Sequence, residues 1–496
     1  MKLLRMLGFA AVILCAALAS AQSPWTPVNN VPNIGAGAVA LLTDGRVLVH
    51  DESGNSGTWG NWWTLTPSST GDYSKGTWTQ VATMPAGYGP LYFASAVLPD
   101  GRYIAEGGEY NNGNAAWTKL GAIYDPVANT WSSVTPPSGW ASIGDAAATV
   151  LSSGTFMLGS CCDQPIHTAL LNASSLTWTS TGSGKYDVYD EEGLTLLPGG
   201  KVLDVDAYVF KYISTGKNYE TYDPGTGTWT SQGNTPVQLW DSAANCGGSG
   251  SASYEEGPDI LRPDGTVFAT GANSCAAGHT AIYTVSTGTW TAGPDFPSNL
   301  DIADGPAALL PDGNVLMMTS PTVFNTGAVF FEWDGTKLNQ VSGPPNGPID
   351  SSYYGHMLVL PTGQILFTDF STDVEIYTSS GSPYPGLAPS ALLASVALPR
   401  GKTFTLFGNR FNGASQANAY GDDFQDATNY PIVRITNKST GQVTYCRTHD
   451  HNTMAVGYPG PTYTHVDIPA STPTGASNLE VVANGIASQK YPIVIE

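Results

Sequence analysis

Two sets of side chains in this sequence have residue types and spacings that are suitable for metal binding or catalysis. One is the run from Tyr445 to Thr453, which holds a thiol at Cys446 and imidazoles at His449 and His451. On a β-strand, residues two apart point to the same side, so these imidazoles with a nearby thiol could bind copper or zinc. They could equally form hydrogen bonds at a domain interface, and the sequence leaves both interpretations open.

The other set recurs along most of the chain at one position of a repeat. The repeat contains seven glycine-containing turns, and the residue eight positions before each turn is predicted to start a strand. These seven residues are Ala36, Tyr92, Asp145, Glu191, Glu256, Asp304 and Tyr354. Four of these are acids, and several carboxylates in one narrow space need a cation, raised pKa values or a cationic ligand. The alternative is that each carboxylate accepts backbone hydrogen bonds and merely lines a wet channel.

The repeat itself predicts the elements that would bring these residues together. Its turns are Asp44-Gly45, Asp100-Gly101, Ser153-Gly154, Gly199-Gly200, Asp264-Gly265, Asp312-Gly313 and Thr362-Gly363, each with the chemistry of a β-hairpin. Most copies add a third strand and a fourth that carries a Thr-Trp pair. Four strands in about 50 residues are typical of a kelch-type propeller blade.

Seven copies predict an all-β protein, with a seven-bladed β-propeller over residues 22–380. The segment Pro24-Trp25-Thr26 resembles a spare fourth strand, so we expect it to close the last blade. An immunoglobulin-like β-sandwich is predicted over residues 381–496.

Composition agrees with this architecture and narrows the function. The 496 residues include 57 Gly and 35 Pro, only 12% are charged, and the net charge of −21 argues against nucleic acid and anionic membranes as partners. Residues 1–21 have the basic start, apolar run and small-residue end of a signal peptide. We therefore predict a secreted protein, extracellular or periplasmic, that does not bind a membrane. A monomer is expected, because no residue pattern marks a partner surface.

Five cysteines follow the predicted signal peptide. In an oxidising compartment Cys246 could pair with Cys275, and Cys161 with Cys162, which would leave Cys446 free or metal-bound.

The whole arrangement resembles the galactose oxidase and kelch group. In that family a copper ion lies on the propeller axis, held by two tyrosines and a histidine at inner-strand starts and by a histidine on a hairpin from the last domain. The resemblance implies that Tyr92 is the redox tyrosine and that Tyr110 replaces the indole stacked over it. It also makes His449 the counterpart of the hairpin ligand.

Two positions depart from the family pattern. Ala36 stands where the family has the cysteine of its thioether crosslink, so the crosslinked radical cofactor cannot form there. The expected adjacent Tyr-His pair reads Tyr353-Tyr354-Gly355-His356, which puts Tyr354 at the ligand position unless a bulge brings His356 inward.

The leading hypothesis is an axial metal site that binds or oxidises an extracellular carbohydrate or polyol. Copper is the first choice of metal and calcium the alternative. The predicted metal ligands are Tyr92, Tyr353, Tyr354, His356, His449 and His451. The predicted catalytic residues are Tyr92, Glu191 and Glu256, and the predicted substrate-binding residues are Tyr110, Asp145 and Asp304.

Whether the protein is an enzyme stays open at this point. Metal-dependent oxidation is the leading reaction, and carboxylate-driven glycoside hydrolysis is second. The rival from another class is a non-catalytic kelch protein that binds carbohydrate or the cell envelope.

Overall fold

The computed structural model describes residues 23–55, 57–161, 165–186, 188–189, 192–205, 217–240, 254–273, 276–322, 324–393, 395–421 and 426–496. Over these residues the protein is all-β, with four short 3₁₀ helices at Tyr73–Lys75, Gly347–Ile349, Ser352–Tyr354 and Pro385–Leu387. No helix in this part of the chain is long and apolar enough to cross a membrane.

Seven antiparallel sheets follow one another along the described chain, and we number them blades 1 to 7. Six have four strands, and the sheet of blade 6 has two more. The four blade strands are given below from the innermost outward. Blade 1 has Ala36–Leu41, Val47–Asp51, Trp62–Thr66 and Thr77–Gln80; blade 2 has Ala94–Val97, Tyr103–Glu106, Gly121–Asp125 and Thr130–Val134; blade 3 has Ala148–Val150, Phe156–Gly159, Thr168–Asn172 and Thr177–Thr181. Blade 4 has Leu194–Leu196, Val202–Val205, Asn218–Asp223 and Thr228–Asn234; blade 5 has Glu256–Leu261, Thr266–Gly271, Thr280–Thr284 and Thr289–Ala292. Blade 6 has Ala307–Leu309, Val315–Pro321, Val329–Trp333 and Leu338–Val341; blade 7 has His356–Val359, Ile365–Thr368, Glu375–Tyr377 and Trp25–Pro27.

Two small sets of strands lie beside the blades. Leu300–Asp301 pairs with the second strand of blade 6, and Pro90–Leu91, Tyr110–Asn111 and Asn114–Ala115 form a separate sheet next to blade 2.

The blades form a closed propeller. The innermost strand of each blade contacts that of the next, and the innermost strand of blade 7 contacts that of blade 1. Trp25 pairs with Tyr377 on the outer side of blade 7, so the N-terminal strand completes the last sheet. Its indole packs edge-on against Phe330 and Phe367, with ring centroids 5.3 and 5.6 Å apart. These contacts tie the start of the chain to blades 6 and 7.

The seven predicted turns all join the first and second strands of a blade. The glycine of each turn has φ between +80° and +91°, a backbone region that glycine enters without steric cost. Because the turns lie at one end of the innermost strands, they define a turn face. The starts of those strands define the opposite face, which we call the mouth.

The second domain is a β-sandwich that covers the turn face. Its strands are Ser390–Leu392, Ala397–Leu398, Thr403–Asn409, Asn418–Ala419, Ile432–Asn437, Val443–His449, Pro461–Asp467, Gly475–Ala483, Ile486–Ala487 and Tyr491–Ile495. The strand Val443–His449 pairs first with Ile432–Asn437 and then with Pro461–Asp467, so it links two sheets. Arg447 donates from Nη2 to the carbonyl oxygen of Asp100 at 2.7 Å, which anchors the sandwich on a blade 2 turn.

One segment of the second domain enters the centre of the propeller, and we call residues 411–421 the hub segment. Its Asn418 and Ala419 pair with the innermost strand of blade 6, and its Gln416 donates from Nε2 to Thr149 Oγ1 of blade 3 at 2.9 Å. The space left between this segment and blades 4 and 5 is about 10 Å³. Among the described residues, the hub segment therefore occupies the centre of the ring between blades 3 and 6.

Candidate site at the propeller mouth

A continuous series of aromatic rings crosses the mouth from blade 2 to blade 6. Consecutive members contact each other with ring centroids between 4.4 and 6.5 Å apart, mostly edge to face: Tyr110, Tyr92, Phe370, Tyr354, Tyr353 and Phe324. Such offset and edge-on pairs are the favoured geometry of aromatic side chains. The structure thus brings together four of the predicted site tyrosines, which are distant in sequence.

Several mouth residues hold an unfavourable backbone conformation. Tyr92, Asp304, Phe324 and Phe370 have φ values of +50°, +50°, +62° and +62°, and Tyr254 at the entry to blade 5 has +67°. Left-handed backbone costs a residue with a Cβ roughly 1–2 kcal/mol. Strain of this kind clusters at functional sites, where the surrounding structure enforces it. The concentration of five such residues at one face marks the mouth as the candidate site.

The described acids of the predicted ring lie next to these aromatic residues. Negative charge on Glu109, with burial and the charge of Asp145 as lesser causes, raises the pKa of Tyr110. Burial, contact with Tyr354 and the charge of Asp304 raise the pKa of Tyr353. Asp145 therefore lies close enough to Tyr110, and Asp304 close enough to Tyr353, for the charge of each acid to affect the pKa of the tyrosine.

Glu256 lies deeper than the other two acids and is 4% exposed at the start of blade 5. Its carbonyl oxygen accepts a hydrogen bond from Asp304 N at 2.8 Å, and the hub segment reaches both residues at Gly421. The predicted catalytic Glu191 lies outside the described residues.

His356 packs between the hub segment and Phe370 of the aromatic series. The residues before it form the 3₁₀ turn Ser352–Tyr354, and its imidazole stacks on Tyr420 with ring centroids 5.4 Å apart and 13° between planes. Burial lowers the pKa of His356 to about 4 against the opposing charge of Glu52, so the ring is neutral at pH 7. Tyr420 in turn donates from its hydroxyl to the carbonyl oxygen of Tyr353 at 2.9 Å.

These residues do not fit the copper centre that the family resemblance implies. The phenyl ring of Phe370 contacts Tyr92, Tyr354 and His356, at centroid distances of 6.5, 5.6 and 5.6 Å. An apolar ring among three predicted ligands supplies no donor atom and occupies space that a ligand shell would need. The sequence from 411 to 430 also contains no histidine, so the hub segment cannot supply the expected axial imidazole.

The prediction that His449 and His451 join Tyr92 at the mouth is wrong. His451 N donates to the carbonyl oxygen of Pro99 at 3.2 Å, which places this region at the turn end of blade 2, whereas Tyr92 lies at the other end of that blade's innermost strand. The segment that fills the hub is 411–421. Both segments come from the second domain, but only the hub segment enters the ring.

His449 and His451 also point to different places. The strand ends at His449, and Asp450 has a φ of +51° that reverses the alternation expected of a continued strand. His451 is consequently buried, where it stacks at 6.2 Å on Tyr430 and contacts Thr464 Oγ1 at 2.9 Å. Burial lowers its pKa to about 3.

His449 instead belongs to a cluster on the surface of the second domain. His449, Asp450 and His465 each offer a ligand atom, and these atoms lie within 4.8 Å of one another. His449 and His465 are direct partners on neighbouring strands. Asp450 Oδ2 is 2.7 Å from His449 Nδ1 and 3.3 Å from His465 Nδ1. Asp467 Oδ1 lies 3.3 Å from His449 Nε2, where a carboxylate can orient a ligating imidazole.

The predicted thiol ligand at Cys446 does not reach this cluster. Cys446 is free, fully buried and packed in the sandwich core. Because it is an odd number of residues from His449 on one strand, its side chain points to the other face. Burial raises the pKa of the Cys446 thiol, which disfavours the thiolate that binds metals. Cys161 forms a disulfide, and Cys162, Cys246 and Cys275 lie outside the described residues.

Sequence reasoning missed Phe370, Tyr420 and His465. Phe370 follows the second strand of blade 7, a position that the strand-start comparison did not sample. Tyr420 becomes part of the hub through long-range pairing. His465 lies two residues before the end of the strand Pro461–Asp467 and faces His449 on the neighbouring strand, a pairing that the sequence analysis did not consider.

Comparison with known proteins supports the fold. No protein-family profile matches the chain, and no curated protein matches it. Among solved structures, the chain is similar to a fungal alcohol oxidase of the AA5 family in complex with copper, with 13% sequence identity and a TM-score of 0.51. The match covers 95% of this chain and 98% of the oxidase. It confirms the all-β class and the propeller-plus-sandwich architecture predicted from the repeat.

Proposed function

We propose that the protein is secreted and that its mouth binds an extracellular carbohydrate or polyol. The observation that carries the proposal is the series of aromatic rings flanked by Asp145 and Asp304, of which Asp304 has strained backbone. Ligand sites combine apolar and aromatic walls with a few placed polar groups. Aromatic faces suit the C–H face of a sugar ring, and carboxylates accept hydrogen bonds from its hydroxyl groups.

Tyr354 is the central ring to test, because it contacts both Phe370 and Tyr353 and is only half-buried. We expect Tyr354→Ala to weaken binding by about tenfold, in line with the loss of one well-packed aromatic contact. The measurement is calorimetric titration with soluble oligosaccharides of glucose, xylose, mannose and N-acetylglucosamine. Asp304→Asn is expected to weaken binding less, since an amide still accepts one hydrogen bond.

Tyr384→Ala is the matched control. Tyr384 is 54% exposed and its backbone N–H donates to Pro311 on the turn face, far from the mouth. Its replacement should leave affinity unchanged. Equal binding by Tyr354→Ala and the natural chain would contradict the proposal, as would equal loss in Tyr384→Ala.

The oxidase alternative is tested with the same protein. The structural neighbour is a copper alcohol oxidase, but in the described part of this mouth the ring of Phe370 lies among Tyr92, Tyr354 and His356. We therefore expect copper-treated protein to release no peroxide from the sugars that it binds. Stoichiometric copper whose retention depends on Tyr92 and His356 would overturn this expectation and favour oxidation.

A transition-metal site is better supported in the second domain than at the mouth, because His449, Asp450 and His465 lie close together there. We propose that His449, Asp450 and His465 bind copper or zinc, since two imidazoles and one carboxylate oxygen suit either ion. His465→Gln should reduce the affinity for Zn²⁺ at least about tenfold in a calorimetric titration. His279→Gln, at an exposed histidine paired with Asp295, should leave the affinity unchanged. Retention of full affinity in His465→Gln would refute the site.

A further inference from the structure

A cavity of about 580 Å³ lies where the propeller, the sandwich and the segment that connects them meet. Its walls include Pro263, beside the turn of blade 5, the connecting residues Gly386 and Leu387, and two loops of the sandwich around residues 409–414 and 457–459. Cavities that bind small molecules have volumes of roughly 300–1,000 Å³ and occur preferentially between domains. This cavity therefore has the size and the position of a ligand site on the turn face, away from the mouth.

The charge of the cavity differs from that of the whole protein. The chain has a net charge of −21, whereas Arg410 is the charged residue among those that line this cavity. Asp264, which follows Pro263, is already paired with Arg262 Nη1 at 2.8 Å. Five other described arginines form an ion pair with an acid: Arg46, Arg102, Arg262, Arg434 and Arg447. Arg410 forms none within the described ranges, so charge complementarity favours an anion in this cavity.

Arg410 is also held in an unfavourable backbone conformation. It follows the strand Thr403–Asn409 and has a φ of +60°. Gly413 N donates to the carbonyl oxygen of Arg410 at 3.3 Å, and Gly457 N donates to that of Gly413 at 2.9 Å. These bonds tie the loop of Arg410 to the loop of Tyr458, so the cavity is formed before a ligand binds. Strained residues that the surrounding structure enforces cluster at functional sites.

The other lining side chains supply groups that a sugar ring can use. Tyr458 is 39% exposed and offers an aromatic ring. Asn409 and Ser390 are direct partners on neighbouring strands, and Asn409 Nδ2 lies 3.5 Å from Ser390 Oγ. An amide and a hydroxyl can hydrogen-bond sugar hydroxyl groups, an aromatic ring packs against an apolar face, and a guanidinium binds a carboxylate through two parallel hydrogen bonds. A sugar that carries a carboxylate would engage all three kinds of group.

We propose that this cavity binds an acidic saccharide, with the carboxylate on Arg410 and a sugar ring against Tyr458. The mouth disfavours the same ligand, because Asp145 and Asp304 would repel its negative charge. The proposal does not depend on carbohydrate binding at the mouth.

The test is calorimetric titration of the full chain with a trisaccharide of galacturonic acid and with the same trisaccharide after reduction of its carboxyl groups to alcohols. We expect the acidic form to bind at least about tenfold more tightly than the reduced form. Its affinity should fall as the ionic strength rises from about 0.01 to about 0.15 M. Arg410→Gln should weaken binding of the acidic form at least about tenfold and change that of the reduced form little. Arg410→Lys keeps the charge without the planar fork and should give an intermediate affinity.

Arg400→Gln is the matched control. Arg400 is exposed, pairs with no acid among the described residues and does not line the cavity, so its replacement should leave the affinity unchanged. The melting temperature of Arg410→Gln should equal that of the natural chain, because the guanidinium makes no ion pair in the described part of the protein.

Three results would overturn the proposal. The first is equal affinity for the acidic and reduced trisaccharides, or no binding of either. The second is an equal loss in Arg400→Gln and Arg410→Gln, which would indicate general attraction to positive charge. The third is a loss of acidic trisaccharide binding in Tyr354→Ala, which would place the ligand at the mouth.

Discussion

Blades 4 and 7 both bury clusters of acids near the mouth, but only blade 4 carries its own cation. In blade 4, Lys185 Nζ lies 2.7 Å from Asp204, 3.0 Å from Glu192 and 3.1 Å from Glu220, and its side chain is 1% exposed. In blade 7 no such ammonium is present among the described residues. The difference teaches that an internal lysine compensates the buried acids of blade 4, whereas in blade 7 burial and neighbouring carboxylates raise the pKa values of Asp350 and Glu375.

The lysine in blade 4 is also enclosed by aromatic rings. Its Nζ lies 4.7 Å from the ring centre of Tyr189 and 5.1 Å from that of Trp229. A cation over an aromatic face is attracted to it, most strongly when water is excluded. Lys185 is therefore fixed as a structural charge inside the protein.

The largest expected effect comes from removing the internal cation. Lys185→Met should lower the free energy of unfolding by about 3–5 kcal/mol, because three buried carboxylates lose their partner. Chemical denaturation measures this change. Lys201→Met is the control, since Lys201 is 54% exposed and 3.7 Å from Asp223, and it should change stability by less than about 1 kcal/mol. Equal effects of the two replacements would remove the contrast between the blades.

A smaller effect is expected from pH. The folded-state pKa values of Asp350 and Glu375, about 8 and about 7, lie above their ordinary values of 3.8 and 4.5, because the two acids are buried beside other carboxylates. Their stabilising protonation is complete at low pH and is lost as pH rises. The free energy of unfolding should therefore fall between pH 5 and pH 9.

Chemical denaturation at several pH values measures this fall. Other buried acids contribute equally with and without Asp350, so the difference between Asp350→Asn and the natural chain isolates blade 7. Parallel pH profiles for the two proteins would show that Asp350 does not titrate in this range.

The smallest effect is expected for a lone buried acid in blade 2. Glu106 is fully buried, and burial raises its pKa well above the usual range, which favours the protonated carboxyl over the carboxylate. Glu106→Gln removes no charge and should change stability by only about 1 kcal/mol. The infrared band of a protonated carboxyl group should be present at pH 7 and absent from the variant. A loss as large as that of Lys185→Met would mean that Glu106 is ionised.

The sequence could predict what is periodic and local. The turn glycines and strand-start positions recur with the repeat, so Tyr92, Asp304 and Tyr354 were correctly expected to meet at one face. The repeat could not predict Phe370, because its position depends on a left-handed residue in a loop that the repeat does not specify. It also could not assign the hub segment, whose partners in blades 3, 6 and 7 are more than 50 residues away.

His449 and His451 show that prediction from the sequence can also fail over a few neighbouring residues. His449 and His451 were expected on one face because a strand was assumed to continue through both. Asp450 ends that strand with a positive φ, and a single dihedral angle therefore moved His451 into the interior. Only the pairing of His449 with His465 across the sheet reveals the cluster that remains on the surface.

The pairing of Trp25–Pro27 with Glu375–Tyr377 has a consequence for biosynthesis. The strand that seals the ring leaves the ribosome before any blade, and its partner emerges some 350 residues later. During translation the blades made earlier therefore cannot yet form a closed ring, because the last blade, which contacts the first, is still incomplete. The toroid can close only when synthesis has nearly reached the sandwich, and the plug at its centre can enter only after that.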